Sequence, residues 1–164
     1  MTELTTYYLE MIDREDLRAK AGPSNFSVSI LAEPTPDLNR RFYQQVGGDW
    51  QWTDRLKWTG AQWLEYVDRA ALTTGVVGVD GQSVGYFELV AQEEGDVEII
   101  QLGLLPEYVG SGLGGALVTA AIESAWAIAG VSRVWLHTCS RDHDSALENY
   151  KRRGFKVYKT VEES

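Results

Sequence analysis

Two stretches of the sequence carry residue types that can do chemistry. Residues 106–115 read PEYVGSGLGG, four glycines and a serine around two aliphatic residues, directly ahead of the helical run ALVTAAIESAWAIAG. Glycine weakens strand and helix interiors, so a cluster this dense means a sharp main-chain turn or a close approach to the backbone. Successive N–H groups of residues 110–115 at the start of a helix can surround an anion without any basic side chain, which is the chemistry of pyrophosphate binding. Upstream, the run DVEIIQLGLL encloses one acid, Glu98, among apolar residues, Gln and Gly, fourteen residues before Gly112. A carboxylate in such surroundings is a candidate proton acceptor, and Glu88 in SVGYFELV is a second.

The glycines admit other readings. Gly110, Gly112 and Gly115 satisfy G-x-G-x-x-G, but a dinucleotide fold needs alternating strands and helices around the loop and an acid at the end of the next strand. Here a run of three strand-like segments precedes the loop, and the strand after the helix ends in HTCS. A nucleotide P-loop is excluded because Ala116 and Leu117 follow Gly115 where Lys and Ser or Thr are needed. A merely flexible loop leaves unexplained why the glycines stand between an aliphatic strand and a helix.

The elements that must position these residues follow from pattern. TTYYLEMI (5–12) and FSVSILAE (26–33) read as strands, PDLNRRFYQQVG as a helix opened by Pro36, and TGAQWLEYVDRA as a helix capped by Thr59. ALTTGVVGVD, SVGYFELVAQ and DVEIIQLGLL are strands joined by the turn chemistry of Asp80-Gly81 and of residues 93–96, an antiparallel meander. A helix from about Leu113 to Ala129 ended by Gly130, a strand over 133–139, a helix over about 144–153 capped by Asp142 or Asp144, and a strand over 155–161 complete the chain. The reading is one α/β (α+β) domain over residues 1–164, a mixed, mostly antiparallel central sheet flanked by helices.

Composition narrows the function. With 164 residues, 44% of them apolar, the chain can bury a core without staples. A formal net charge of −9 argues against nucleic acid as a partner and favours cationic ones. The single cysteine, Cys139, permits no internal disulfide and reads as inert strand packing, and no run of eighteen apolar residues occurs. A cytoplasmic protein without membrane contact or bound metal is expected, and a homodimer is compatible with it.

Strand, glycine turn and helix, with this order of elements, resemble the GNAT family, the GCN5-related N-acetyltransferases, over nearly the whole chain. The family signature is Gln or Arg, two variable residues, Gly, one variable residue, then Gly or Ala. Gly112, Leu113 and Gly114 supply its end, and Val109 stands where Gln or Arg is expected. ALENYKRRGF (146–155) is similar to the family's second stretch, with Asn149 in place of Leu and His143 where Asn is common.

The resemblance implies acetyl-coenzyme A as cosubstrate, cradled by Val109, Gly110, Ser111, Gly112, Leu113, Gly114 and Gly115. Main chain around Leu102 and Leu104 would meet the acetyl carbonyl and pantetheine amides, and His143 the pantetheine arm. An alkylammonium has a pKa near 10, so transfer to it needs a base. Glu98 is the candidate, with Glu88 or a water relay as alternatives, and a plain strand residue is the simpler reading. Gly103 marks a bulge or close approach on that strand. Tyr150, four residues before Gly154, matches the family's general acid for the leaving thiolate, although a core tyrosine would share its helical face with Ala146 and Leu147. Trp50 and Trp52, in GGDWQWTDRLKW with Asp54 and Arg55, and Glu88 are candidates for the acceptor site. The expected reaction is acetylation of a primary amine on a small cationic molecule. The alternative is a module that binds acyl-coenzyme A as a sensor or scaffold without turnover.

Overall fold

The computed structural model describes residues 4–33, 35–47, 55–140 and 145–163. Strands β1 (Leu4–Met11) and β2 (Phe26–Ile30) precede helices α1 (Pro36–Gly47) and α2 (Gly60–Val67). Then come β3 (Leu72–Val79), β4 (Gln82–Ala91), β5 (Asp96–Leu104), α3 (Gly114–Trp126), β6 (Arg133–Cys139), α4 (Ala146–Arg152) and β7 (Lys156–Glu163). All seven strands lie in one sheet in the order β2-β3-β4-β5-β6-β1-β7, antiparallel except where β5 meets β6. That parallel pair is joined through α3, the kind of crossover a parallel connection requires. No helix among the described residues is long and apolar enough to cross a membrane.

Local chemistry explains most boundaries. Asp80 and Gly81 both adopt positive φ, 54° and 79°, the turn that joins β3 to β4. Thr59 caps α2 in a reciprocal box: its side chain accepts from the Gln62 N–H while the Gln62 side chain accepts from the Thr59 N–H. Strand β2 ends at Ile30 and helix α2 at Val67, each three residues short of the sequence reading, and α3 and α4 differ as well. Helix α3 stops at Trp126 instead of Ala129, because Ile128 N–H turns back to the Ala125 carbonyl and the chain tightens out of the α ladder; Gly130, φ 79°, closes that turn. Helix α4 begins at Ala146 with Ser145 in the cap position and no side-chain cap bond. The expected caps Asp142 and Asp144 lie outside the described residues.

The two faces of the sheet are covered differently. Helix α3 is apolar nearly all round and packs Leu117, Val118, Ala121 and Ile122 into one cluster with Phe87, Leu89, Val97 and Ile99, extended by Leu9, Val134 and Leu136. On the opposite face α1 lays Phe42 and Val46 against Tyr86, the Phe42 and Tyr86 rings stacking at 4.8 Å.

Beside that smaller cluster lies a buried ion pair. Glu88 on β4 is fully buried; its Oε1 accepts from Arg55 Nη1 at 2.9 Å and from the Tyr66 hydroxyl at 2.6 Å, its Oε2 from Asn39 Nδ2 at 2.8 Å. The Arg55 guanidinium also lies 4.2–5.6 Å from the ring centres of Tyr66, Trp58, Tyr43 and Trp63. Burial opposes charge on Arg55, but Glu88 and the hydrogen bond to it raise its pKa above the ordinary value. Burial and the anion beside it push Tyr66 and Tyr86 well up as well, so both phenols stay protonated.

The arrangement ties α1, residue 55, α2 and β4 together through one carboxylate. Glu88→Leu strands Arg55 without its anion and is expected to cost about 3–5 kcal/mol in urea denaturation, whereas Tyr66→Phe removes one of three donors and should cost about 1–3 kcal/mol.

Candidate active site

The β5–β6 ladder consists of Asp96↔Arg133, Val97↔Val134 and Glu98↔Trp135, and stops there. Beyond it the strands part, and the β5 edge from Ile99 to Leu104 has no strand partner on that side. A bulge helps to turn β5 away: Leu89 pairs with Ile99 and Glu88 with Gln101, which leaves Ile100 as the extra residue. The bulge therefore falls at Ile100, not at Gly103 as the sequence suggested. The close approach falls to its neighbour on β4, Gly85, where a Cβ would lie 2.7 Å from the carbonyl oxygen of residue 103. Into the fork opens a cavity of about 740 Å³, within the range of sites for organic ligands.

Residues of the glycine loop form one wall. Gly110 and Gly112 have φ of 84° and 87°, and both face open space where a side chain would stand. Between them the Ser111 hydroxyl donates to the Tyr108 carbonyl, closing the turn. Leu113 precedes the helix with its side chain buried at 9% exposure, anchoring the loop to the core. A Cβ on Gly114 would meet Asn149 Nδ2 at 3.3 Å, and one on Gly115 would meet Lys20 Cδ at 2.5 Å and Arg153 Nη1 at 3.3 Å. Val109, Leu102 and Leu104 line the same cavity.

Glu98 sits at the crotch of the fork, 8% exposed. Trp135 Nε1 donates to Gln92 Oε1 at 2.9 Å, and Gln92 Nε2 donates to Glu98 Oε1 at 3.0 Å, a chain that fixes the carboxylate plane. Its other oxygen lies 3.8 Å from Nε2 of His137, which is half exposed and lines the cavity. Burial raises the Glu98 pKa above the ordinary carboxylate value, opposed by His137, the Gln92 hydrogen bond and Arg55. On the far side Tyr150, on α4, also lines the cavity, its ring edge-on to Phe155 at 6.3 Å.

A glycine turn opening a helix, set against a strand forked from its parallel neighbour, is the architecture that the family comparison addresses. Residues 32–155 match the model of the acetyltransferase (GNAT) family. The chain belongs to the GNAT family. An uncharacterised N-acetyltransferase of Mycobacterium tuberculosis, and one of Mycobacterium bovis, are each 36% identical to it over 104 residues. The match covers 60% of this chain and 62% of theirs. Among solved structures, a GCN5-related N-acetyltransferase from Kribbella flavida superposes with a TM-score of 0.70 at 19% identity, over 96% of this chain and 56% of that one. An aminoglycoside acetyltransferase from a soil metagenome, in complex with sisomicin, gives 0.66 at 15% identity over 84% and 92% of the two chains.

Within this GNAT fold the sequence-derived residues are not all in one place. Leu102, Leu104, Val109, Gly110, Gly112, Gly114, Gly115 and Tyr150 line the cavity, whereas Ser111, Leu113 and Glu98 do not; Glu98 stands behind the lining His137, 3.8 Å from it. Glu88 does not line the cavity; the Arg55 cluster encloses it, and both its oxygens are engaged. Trp50, Trp52 and His143 lie outside the described residues. Cys139 is half-buried at the cavity wall and not in the core. Sequence reasoning missed His137, Gln92, Lys20, Asn39 and Arg153. His137 was legible only in part: it follows Trp135 by two residues in RVWLHTC, which puts both on the face of Glu98 once β6 is paired to β5.

The Glu98 environment predicts a signed titration. A carbon-detected NMR titration of its carboxyl should give a midpoint above the ordinary 4.5. His137→Gln should raise it further, since a protonated imidazole at 3.8 Å favours the carboxylate. A midpoint that is ordinary, or one that falls on His137→Gln, contradicts this electrostatic account.

Proposed function

We propose that the chain transfers an acetyl group from acetyl-coenzyme A to a primary amine of a small cationic acceptor. The observation that carries the reading is convergence: the open glycine turn, the edge of β5 from Ile99 to Leu104 and Tyr150 line one cavity, and Glu98 stands behind its wall, 3.8 Å from the lining His137. The residues present fit coenzyme A. Gly110 and Gly112 leave a cradle that any side chain would fill, and the backbone from Ile99 to Leu104 offers strand-type donors and acceptors to an extended amide arm.

Glu98 takes the proton of the ammonium. Its raised pKa makes it a stronger base than an exposed carboxylate, and the Gln92 hydrogen bond holds it in place. Once the proton is gone the nitrogen lone pair attacks the thioester carbon, and N–H groups of the β5 edge stabilise the developing oxyanion. Collapse breaks the C–S bond, the Tyr150 hydroxyl gives a proton to the thiolate sulfur, and the second proton that the nitrogen sheds on becoming an amide returns, through solvent, to the phenolate. The Glu98 carboxylate behind His137 and the ring of Tyr8 in the wall suit a cationic acceptor. The aminoglycoside acetyltransferase among the structural neighbours agrees with a small acceptor of this kind.

Release of free thiol from acetyl-coenzyme A over a panel of amines tests the reaction; binding without release from any amine favours the sensor module. Gly112→Val, placed at φ 87°, should lose coenzyme A binding by calorimetry with the fold intact, whereas Val109→Ala should keep it. In kcat/KM against pH, activity should fall as pH drops through the Glu98 pKa. Glu98→Gln should abolish that acid limb and regain rate only as pH approaches the pKa of the amine. Tyr150→Phe should lower kcat roughly 10²-fold with acetyl-coenzyme A affinity nearly unchanged. Wild-type rates for both variants from about pH 6 to 9 would remove the acid and base assignments.

A further inference from the structure

The GNAT signature places Gln or Arg at the position of Val109, so this loop offers main-chain N–H groups and no side-chain donor there. The chain also carries a formal net charge of −9, a long-range field that disfavours a polyphosphate ligand. Any side-chain cation that adds to the loop's N–H groups has to come from elsewhere in the fold.

Two cationic side chains lie across the first turn of α3. Where Gly115 lacks a Cβ, the stem of Lys20 fills the space, with Cδ 2.5 Å and Cβ 3.3 Å from the position that atom would take, and Arg153 Nη1 stands 3.3 Å from it. A Cβ at residue 115 would have to displace the Lys20 stem, so glycine there suits its neighbours and not a special φ. The placement is held from three directions. Lys20 N–H donates to Thr119 Oγ1 at 3.0 Å, the Thr119 hydroxyl donates to the Gly115 carbonyl at 2.8 Å, and Arg18 N–H donates to the Arg153 carbonyl at 2.8 Å. The segment before β2 is in this way stapled to both α3 and the end of α4.

Lys20 lines the cavity, and neither it nor Arg153 forms an ion pair with a carboxylate among the described residues. Arg153 Nε is buried without a hydrogen-bond acceptor, an orphan donor beside a helix N-terminus. Resting on the acetyl-coenzyme A reading above, the geometry points to Lys20 and Arg153 as a clamp on the phosphates of the cosubstrate, supplying from outside the loop the charge that Val109 does not. The phosphates in question are the pyrophosphate or the ribose 3′-phosphate; both are anionic oxygens of the kind that Lys and Arg bind.

Calorimetry with acetyl-coenzyme A and its 3′-dephospho analogue, at two salt concentrations, tests the clamp. Lys20→Met keeps the aliphatic stem over Gly115 and removes only the charge, so the fold should be undisturbed. It is expected to weaken acetyl-coenzyme A about tenfold and to flatten the salt dependence of the Kd, with Lys20→Arg close to wild type. Arg153→Met should act in the same direction, and Val109→Arg in the Lys20→Met background should restore affinity. The same factor lost for both ligands assigns the charge to the pyrophosphate; a loss confined to acetyl-coenzyme A assigns it to the 3′-phosphate. Wild-type affinity for both ligands in Lys20→Met overturns the clamp while the acetyl-coenzyme A reading stands. Failure of the wild-type protein to bind either ligand overturns both.

Discussion

The constraint on which the rest depends is the early end of the parallel ladder between β5 and β6. Three residue pairs hold the two strands together, and after Glu98↔Trp135 they diverge. A buried strand edge with unpaired N–H and C=O groups is costly, so a fold tolerates one only where water or a ligand can complete it. The neighbouring elements serve that opening. The bulge at Ile100 bends β5, the chain leaves β5 through a glycine turn that places the start of α3 beside the gap, and α4 brings Asn149 and Tyr150 to its other side. Closing the ladder by a few more pairs would remove the cavity and leave the glycine turn facing a paired strand.

Two glutamates on adjacent strands show how environment assigns roles. Val90 pairs with Glu98, and cross-strand partners share a face, so Glu88, two residues before Val90, points to the same side of the sheet as Glu98. Glu88 receives three hydrogen bonds, two of them from the neutral groups Tyr66 and Asn39 and one from a guanidinium. A carboxylate so engaged, fully buried and away from the cavity, serves as a strut. Among the described residues Glu98 receives one side-chain hydrogen bond, from Gln92, and has an imidazole at 3.8 Å. It keeps an oxygen able to accept a proton, and burial makes that proton more welcome. The buried Arg55 pair adds little net stability over an apolar core of equal volume, but its directional bonds fix α1 and α2 over β4, and so the wall that faces Glu98.

The strands and helices were legible because their signals are local. Pro36 at the start of α1, the Thr59 and Gln62 box and the Asp80-Gly81 turn state their roles within a few residues. The glycine loop was legible for the same reason: Gly110 and Gly112 are consecutive backbone requirements. What escaped was whatever depends on contact between distant segments. Nothing local in SVGYFELV tells that Arg55 and Asn39 will close over Glu88, and the aromatic run around residue 58 reads equally as a ligand cage or as the packing of Arg55 that it proves to include. Lys20 stands in a stretch without regular structure and reads as a surface lysine until Gly115 is seen beneath it. The position of the bulge escaped too, because a bulge is a property of register, and glycine at 103 was the nearer sequence cue.

The proposed reaction places opposite electrostatic demands on one cavity, and the sheet separates them. A phosphate-bearing cosubstrate needs positive potential, whereas a cationic amine needs negative potential, and a net charge of −9 favours only the second at long range. On the α3 side of the fork the positive ends of backbone dipoles at residues 110–115, with Lys20 and Arg153 beside them, act within one helical turn, where screening by solvent is weak. On the other side Glu98 is in register with Trp135 and has His137 next to it, and the Tyr8 ring lies against both of these rings. The two fields meet only where β5 and β6 part, so the thioester carbon and the amine nitrogen can approach there while the charges that hold each ligand remain on opposite faces. A short-range positive cradle in an acidic protein is then no contradiction: it lets a dianionic grip be strong in contact without repelling the acceptor at a distance.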